Sequence, residues 1–204
     1  MKLALLSCTV LSALSLSHLS NNKYNVYNNR LTTYCHTTTT ATTTSTAIEL
    51  YRPNEKEYDR IDTLLLTEEM KSFTKNHALH ESLKGDKKIE AYEIYKKKDA
   101  DEIKCIIKFG ESLNGHKGIV HGGISALIID NTFGWLYIVL KLPSAFTANL
   151  NINYRSPVYP NSIAILKASM IKVEGRKMYM NASMEDIHGK ELVNATTLFI
   201  TMQK

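Results

Sequence analysis

Acidic side chains are missing from the first 47 positions of this 204-residue chain, where Lys2, Lys23 and Arg30 stand among many Ser, Thr and Asn residues. Large apolar residues thin out after Leu31, ahead of the run CHTTTTATTTSTA. A segment with so little to bury cannot offset the entropy of ordering its backbone, so residues 1–47 are expected to be a disordered leader outside the fold. Cysteine is scarce too. Of Cys8, Cys35 and Cys105, only the last lies beyond the leader, which excludes a disulfide framework there and favours a reducing compartment. No apolar run reaches the ~20 residues of a membrane span, so no transmembrane segment is expected. No His and Cys spacing suggests a metal site, Ser125 lacks a Gly-x-Ser-x-Gly setting, and no cofactor is implied.

What is present begins with the leader's own character. Long, acid-free and hydroxyl-rich, it suits a mitochondrial presequence, with a secretory signal in LALLSCTVLSALSL as the alternative. The glycosylation-type triplets at Asn181 and Asn194 fall in strand-like stretches and support secretion little. The net charge of +5 is spread along the chain, and its densest cluster, Lys96 to Lys98, is followed at once by Asp99, Asp101 and Glu102. Nucleic-acid binding wants a basic stripe with aromatics or a docking motif, and neither is found.

Asn54 reads as a helix cap before EKEYDRIDTLLLTEEMKSF, where Tyr58, Ile61, Leu65 and Met70 recur at roughly helical spacing. A second short helix is expected over 75–84, stopped by Gly85. Residues 48–86 are thus expected to form an N-terminal helical extension that either covers a site or pads a sheet. The segments IEAYEIYKK and EIKCIIKFG, parted by a polar turn, predict a hairpin. After His121-Gly122-Gly123, a continuous apolar segment runs to Leu140 and predicts a helix buried on all sides. Four strand-like runs follow: FTANLNINYRS, SIAILKASMIKV, RKMYMNASMED and ELVNATTLFITMQ. Four strands without helices between them argue against a parallel sheet and for an antiparallel meander in an α+β domain. A curved antiparallel sheet rolled around one long central helix, the hotdog architecture, meets the need to wrap that helix, and residues 87–204 are assigned to it.

Asp130 is the oddity in VHGGISALIIDNTFG, because a carboxylate in a buried helix needs a partner, a shifted pKa or access to water or ligand. A structural hydrogen bond to a nearby loop is the ordinary role of such a residue. Three segments point elsewhere. HGGISALIID, TANLNINYRSP and KVEGRK, in this order, resemble the hotdog-fold acyl-CoA thioesterases of the phenylacetate-pathway type, and among them the mitochondrial carboxy-terminal modulator protein branch. The resemblance covers about 101–204 and the preceding strand. It implies a hotdog dimer, or a dimer of dimers, that hydrolyses fatty acyl-CoA. It places the catalytic Asp on Asp130, its assisting Thr on Thr147, and substrate contacts on Asn153, Arg155, Arg176 and Lys177. Many relatives carry an Asn six residues before the histidine, where this chain has Gly115, so the Asp and Thr arrangement is expected rather than an Asn-assisted one.

The residues support such chemistry on their own terms. Gly122 and Gly123 at a helix entrance let backbone N–H groups approach a developing oxyanion, with His121 as a positioning residue. Both glycines serve close helix packing equally well, and His121 a tight turn. Gly123 and Asp130 lie on nearly one helix face, but two turns or ~10 Å apart, too far to share one carbonyl. The site is therefore expected to form across two copies, with Asp130 as general base or nucleophile. In TANLNINYR, simple alternation puts Thr147, Asn149, Asn151, Asn153 and Arg155 on one strand face. Arg155, Arg176 and Lys177 suit CoA phosphates, although a solvated charge is the plain alternative for each. Two other functions stay open: a non-catalytic acyl-CoA-binding or regulatory module, and hotdog hydratase or dehydratase chemistry.

Overall fold

The computed structural model of the protein describes residues 47–61 and 74–202. The expected leader up to residue 46, and residues 62–73 of the expected first helix, lie outside them. The described strands are β1 (Tyr58–Ile61), β2 (Ile89–Lys97), β3 (Glu102–Phe109), β4 (Asn114–His116), β5 (Ile119–Val120), β6 (Ala145–Tyr154), β7 (Ile163–Glu174), β8 (Lys177–Asp186) and β9 (Glu191–Thr201). The long helix α1 spans Gly122–Val139. Seven strands form one antiparallel sheet in the order β1-β2-β3-β7-β8-β9-β6, while β4 and β5 make a separate small hairpin.

The sheet curls around α1, and the alternation of its strands decides which side chains meet the helix. Ile103, Cys105, Ile107 and Phe109 of β3 point inward with Ala164, Leu166 and Ala168 of β7, and all are buried. From the helix they meet Ile128, Ile129, Phe133 and Leu136, each fully buried. The helix is not buried all round, as its composition suggested. Ile124, Leu127, Asp130, Asn131, Gly134, Tyr137 and Ile138 are only half-buried, forming a flank that the chain's own sheet does not cover. An 18-residue apolar helix has the length of a membrane span, but its other flank is the core of the sheet.

The N-terminal extension departs from expectation. Tyr58–Ile61, read as helical from their spacing, form β1 and pair with Ile94 to Lys97 at the edge of the sheet. Tyr58 and Ile61 fall on opposite faces of β1, Tyr58 against the cluster of Ile48, Tyr95 and Ile106 and Ile61 against the main core, and Asn54 Oδ1 caps only a turn by accepting from the Lys56 N–H. The second helix shrinks to one π-helical turn, Ala78–Ser82, capped by His77 Nδ1. Residues 48–57 pad the outer face of the sheet, where Ile48 packs with Tyr95 and Ile106. Arg52 fastens this pad by donating from Nε (3.0 Å) and Nη2 (2.8 Å) to Glu93, which also accepts from the Tyr95 hydroxyl.

Burial alone would raise the Glu93 pKa, but the hydrogen bonds from Arg52 and Tyr95 outweigh it and hold the carboxyl below its ordinary value. The unfolded carboxyl therefore binds protons at a higher pH than the folded one, and the stability it contributes is lost as pH falls through that window. Arg52→Ala is expected to cost about 2 kcal/mol at pH 7, as two charged hydrogen bonds are lost. The cost should shrink in acid; urea unfolding at neutral and acidic pH checks both the size and the trend.

Candidate active site

The entrance of α1 shows why glycine stands twice after His121. His121 is the N-cap, and its Nδ1 accepts from the Gly123 N–H at 2.9 Å. A Cβ on Gly123 would lie 3.0 Å from that nitrogen, and one on Gly122 would lie 3.2 Å from the Tyr154 ring. The Tyr154 hydroxyl donates to the Gly122 carbonyl at 3.0 Å, tying the last residue of β6 to the helix. Because Nδ1 of His121 accepts, the neutral ring carries its proton on Nε2, and this exposed side chain presents an N–H outward. The Gly123 N–H, expected as an oxyanion donor, is thus engaged within the chain. Gly122, at the first helical position, has no intrahelical acceptor for its N–H.

Gly115 explains the departure from the Asn-assisted pattern. A Cβ there would lie 2.6 Å from His121 Cδ2 and 2.8 Å from its Cα. With His121 in this position, residue 115 has no room for any side chain.

Eight residues along α1 from Gly122, the Asp130 carboxylate accepts at Oδ1 from Thr147 Oγ1, 2.8 Å away. Simple alternation had set Thr147 on the face of Asn149, Asn151 and Asn153, and a β-bulge corrects this. Thr147 pairs with Phe199 while Asn149 already pairs with Leu198, so Ala148 is the extra residue. The bulge returns Thr147 to the helix-facing side, opposite buried Phe199 and in line with Leu150, Ile152 and Tyr154. Asn153 stays on the outer face and donates to Asn194 Oδ1 at 2.9 Å.

Asn131, beside Asp130, is fixed by a relay. Its Nδ2 donates to the Tyr92 hydroxyl (3.3 Å), which donates to Thr132 Oγ1 (2.8 Å), which donates to the Ile128 carbonyl (2.7 Å). The other Asn131 Nδ2 proton faces His80 Nε2 at 3.3 Å, and the Trp135 indole N–H donates to the same nitrogen at 3.2 Å. Two donors on Nε2 put the His80 proton on Nδ1. Burial, reinforced by the neighbouring His77 and Lys84 charges, pushes the His80 pKa down to about 4, so the ring stays neutral near pH 7.

Two openings adjoin these groups. A cavity of about 320 Å³ at the helix entrance is lined by Gly122, Ser125, Tyr154, Arg155 and neighbours. A larger cleft of about 650 Å³ runs along the free flank of α1, past Asn131, Gly134, Trp135 and Ile138. The structure thus brings Asp130 to Thr147, and Arg155 to the His121-Gly122-Gly123 entrance. It does not bring Asn153, Arg176 or Lys177 to Asp130. Arg176, in the β7–β8 turn, spends its guanidinium on the Thr201 carbonyl at 2.9 and 3.1 Å, and Lys177 is exposed beside it. Tyr154 escaped the sequence reading because alternation marked it only as core. His80 escaped it because a single histidine in a short polar segment carries no signal.

Residues 117–193 match the Thioesterase superfamily pattern. Acyl-coenzyme A thioesterase THEM4 of Rattus norvegicus is 35% identical over 112 residues, 54% of this chain and 48% of the relative. Acyl-coenzyme A thioesterase THEM5 of Homo sapiens is 31% identical over 77 residues, 38% of this chain and 31% of the relative. The chain spans about half the length, or less, of these curated relatives. Among solved structures, a hypothetical thioesterase of Streptococcus pneumoniae TIGR4 with coenzyme A aligns at a TM-score of 0.52 and 22% identity, covering 56% of this chain and 91% of that one. The thioesterase superfamily protein RHA08564 aligns at 0.51 and 20% identity over 77% of this chain and 88% of its own. At such identities these likenesses speak for the fold, which is the hotdog. Residues 117–193 thus resemble the Thioesterase superfamily, and the sheet and central helix that surround them have the hotdog fold.

Proposed function

We propose that the protein hydrolyses acyl-CoA thioesters to a free fatty acid and CoA, at sites assembled between two copies of the chain. The observation that carries this reading is the Thr147 to Asp130 hydrogen bond, whose two residues are the chain neighbours of Phe146 and Asn131 in the lining of the large cleft. Thr147 occupies one carboxylate oxygen and orients the group, leaving Oδ2 to accept a proton from water. The activated water adds to the thioester carbonyl, and collapse of the tetrahedral intermediate expels the CoA sulfur, which takes the proton back from Asp130. The named relatives, which are acyl-CoA thioesterases, and the coenzyme A held by the S. pneumoniae protein support this substrate class.

The oxyanion needs donors that Asp130 cannot reach in its own chain, because the helix entrance lies ~10 Å away. A second copy supplies them: His121 Nε2–H and the positive end of α1 at Gly122 and Gly123. Two features favour such a dimer. Strand β6, ten residues long and largely exposed, ends the sheet with an edge that no other strand among the described residues pairs, and the adjacent flank of α1 is half-buried. Arg155, close to that entrance, is placed to meet CoA phosphate, with Arg176, Lys177 and Asn153 as outlying contacts. The acid-free residues 1–47 support delivery to mitochondria.

The test is release of free thiol from a panel of acyl-CoAs by the full chain. The proposal expects steady turnover. Tight binding with no thiol release would instead mark an acyl-CoA-binding module.

A further inference from the structure

The large cleft is walled partly by residues that precede the superfamily match. Its floor is a stripe of α1 comprising Asn131, Gly134, Trp135 and Ile138, and one rim holds Phe146 and Met202, both strongly exposed apolar side chains. The opposite wall is His77 and His80 of the π-helical turn. Asp130, Gly134 and Ile138 share one helix face at successive turns, so the cleft leads away from the carboxylate for about 12 Å toward the helix C-terminus. Over Gly134 the space is open, since a Cβ there would meet no atom within 4 Å. The volume of about 650 Å³ falls within the roughly 300–1,000 Å³ of sites that enclose small molecules.

His80 ties the far wall to α1. The His80 ring accepts from Trp135 and Asn131 at Nε2 and meets the Trp135 ring edge-on, with centroids 5.7 Å apart. Behind it, the His77 ring lies tilted by 50° with its centroid 4.8 Å away and caps the turn.

We propose that residues 74–83 close the acyl-chain cleft of this enzyme, and that His80, seated on Trp135, sets how long an acyl chain the site accepts. This rests on the acyl-CoA reading above. The occupant is an apolar chain because Asn131 and Phe146 of the cleft are the chain neighbours of Asp130 and Thr147, beside which a bound thioester would sit, and its floor and rim are mainly apolar. Each methylene buried there raises affinity roughly fourfold, the equivalent of about 0.8 kcal/mol.

Two variants of the full chain test this. Gly134→Leu fills the open space from a helical position where leucine is the better helix former, so the variant should fold. It is expected to lower the palmitoyl-to-butyryl ratio of kcat/KM at least tenfold. His80→Ala removes the wall and should raise the stearoyl-to-palmitoyl ratio several-fold. Binding is read separately by the emission of Trp135, the sole tryptophan, on titration with a hexadecyl-CoA thioether that cannot be hydrolysed. Wild type should respond, and Gly134→Leu should bind at least tenfold more weakly. If wild type binds the thioether in this way but releases no thiol, the cleft stands and the hydrolase reading falls. Unchanged chain-length ratios and thioether affinity in both variants would overturn the proposal. So would a Gly134→Leu protein whose mass changes while its ratios do not, which would make the groove a seat for a second copy. An unchanged stearoyl ratio in His80→Ala would remove His80 from the role.

Discussion

Asp130→Asn is expected to lower kcat/KM for acyl-CoA about 10²- to 10⁴-fold, the range that a positioned general base supplies. The amide keeps the shape of the carboxylate and can still accept from Thr147 Oγ1 through its carbonyl, so the bulge in β6 and the packing of α1 have no reason to change. What it loses is the oxygen that takes the proton from water. KM should change little, because the loss falls on the transition state alone. Thiol release measured beside thioether binding checks both halves. A variant that retains a tenth or more of wild-type turnover would remove Asp130 from its role.

His121→Ala is the second large effect. The side chain has two jobs: Nδ1 caps α1 through the Gly123 N–H, and Nε2 presents a donor outward. Loss of the cap alone costs about 1 kcal/mol of stability. Loss of a donor to a developing oxyanion costs on the order of 10²- to 10³-fold in kcat. The two separate cleanly in the measurement. If His121 only caps the helix, a small drop in melting temperature should come with nearly normal kcat. If it also polarises the carbonyl, kcat collapses in a protein that is still folded. Alanine leaves the Gly123 N–H uncapped and free to approach the oxyanion in place of the imidazole, so a residual rate well above background is expected.

Much of this molecule was legible in its sequence, for identifiable reasons. The strand pairs β2 and β3, and β7 through β9, announce themselves through alternation and through turns that carry Gly175 and Gly189 at positive φ. The helix α1 was legible because eighteen residues of continuous apolar character are too long for a strand. Its uncovered flank was not, because composition says that a side chain is apolar without saying which neighbour covers it. Strand β1 was hidden because Tyr58 and Ile61, three apart, match a helical period, whereas in the sheet they face opposite sides and pack on different clusters. At Thr147 a single extra residue, Ala148, broke the period of two. No local pattern marks that bulge, although the contact it creates with Asp130 was anticipated from the family resemblance. The wedge of His80 onto Trp135 joins positions 55 residues apart through one imidazole, and a lone sequence has no means of pairing them.

The central claim is that one copy supplies Asp130 and Thr147 while another supplies the helix entrance at His121. Co-assembly of Asp130→Asn chains with His121→Ala chains tests it most directly. In a random mixture half of the dimers carry one variant of each kind, and each of these has one intact site out of two, so thiol release should recover to about a quarter of wild type. Activity no greater than the mean of the two separate variants, in a mixture whose subunits have demonstrably exchanged, would contradict a site shared between chains.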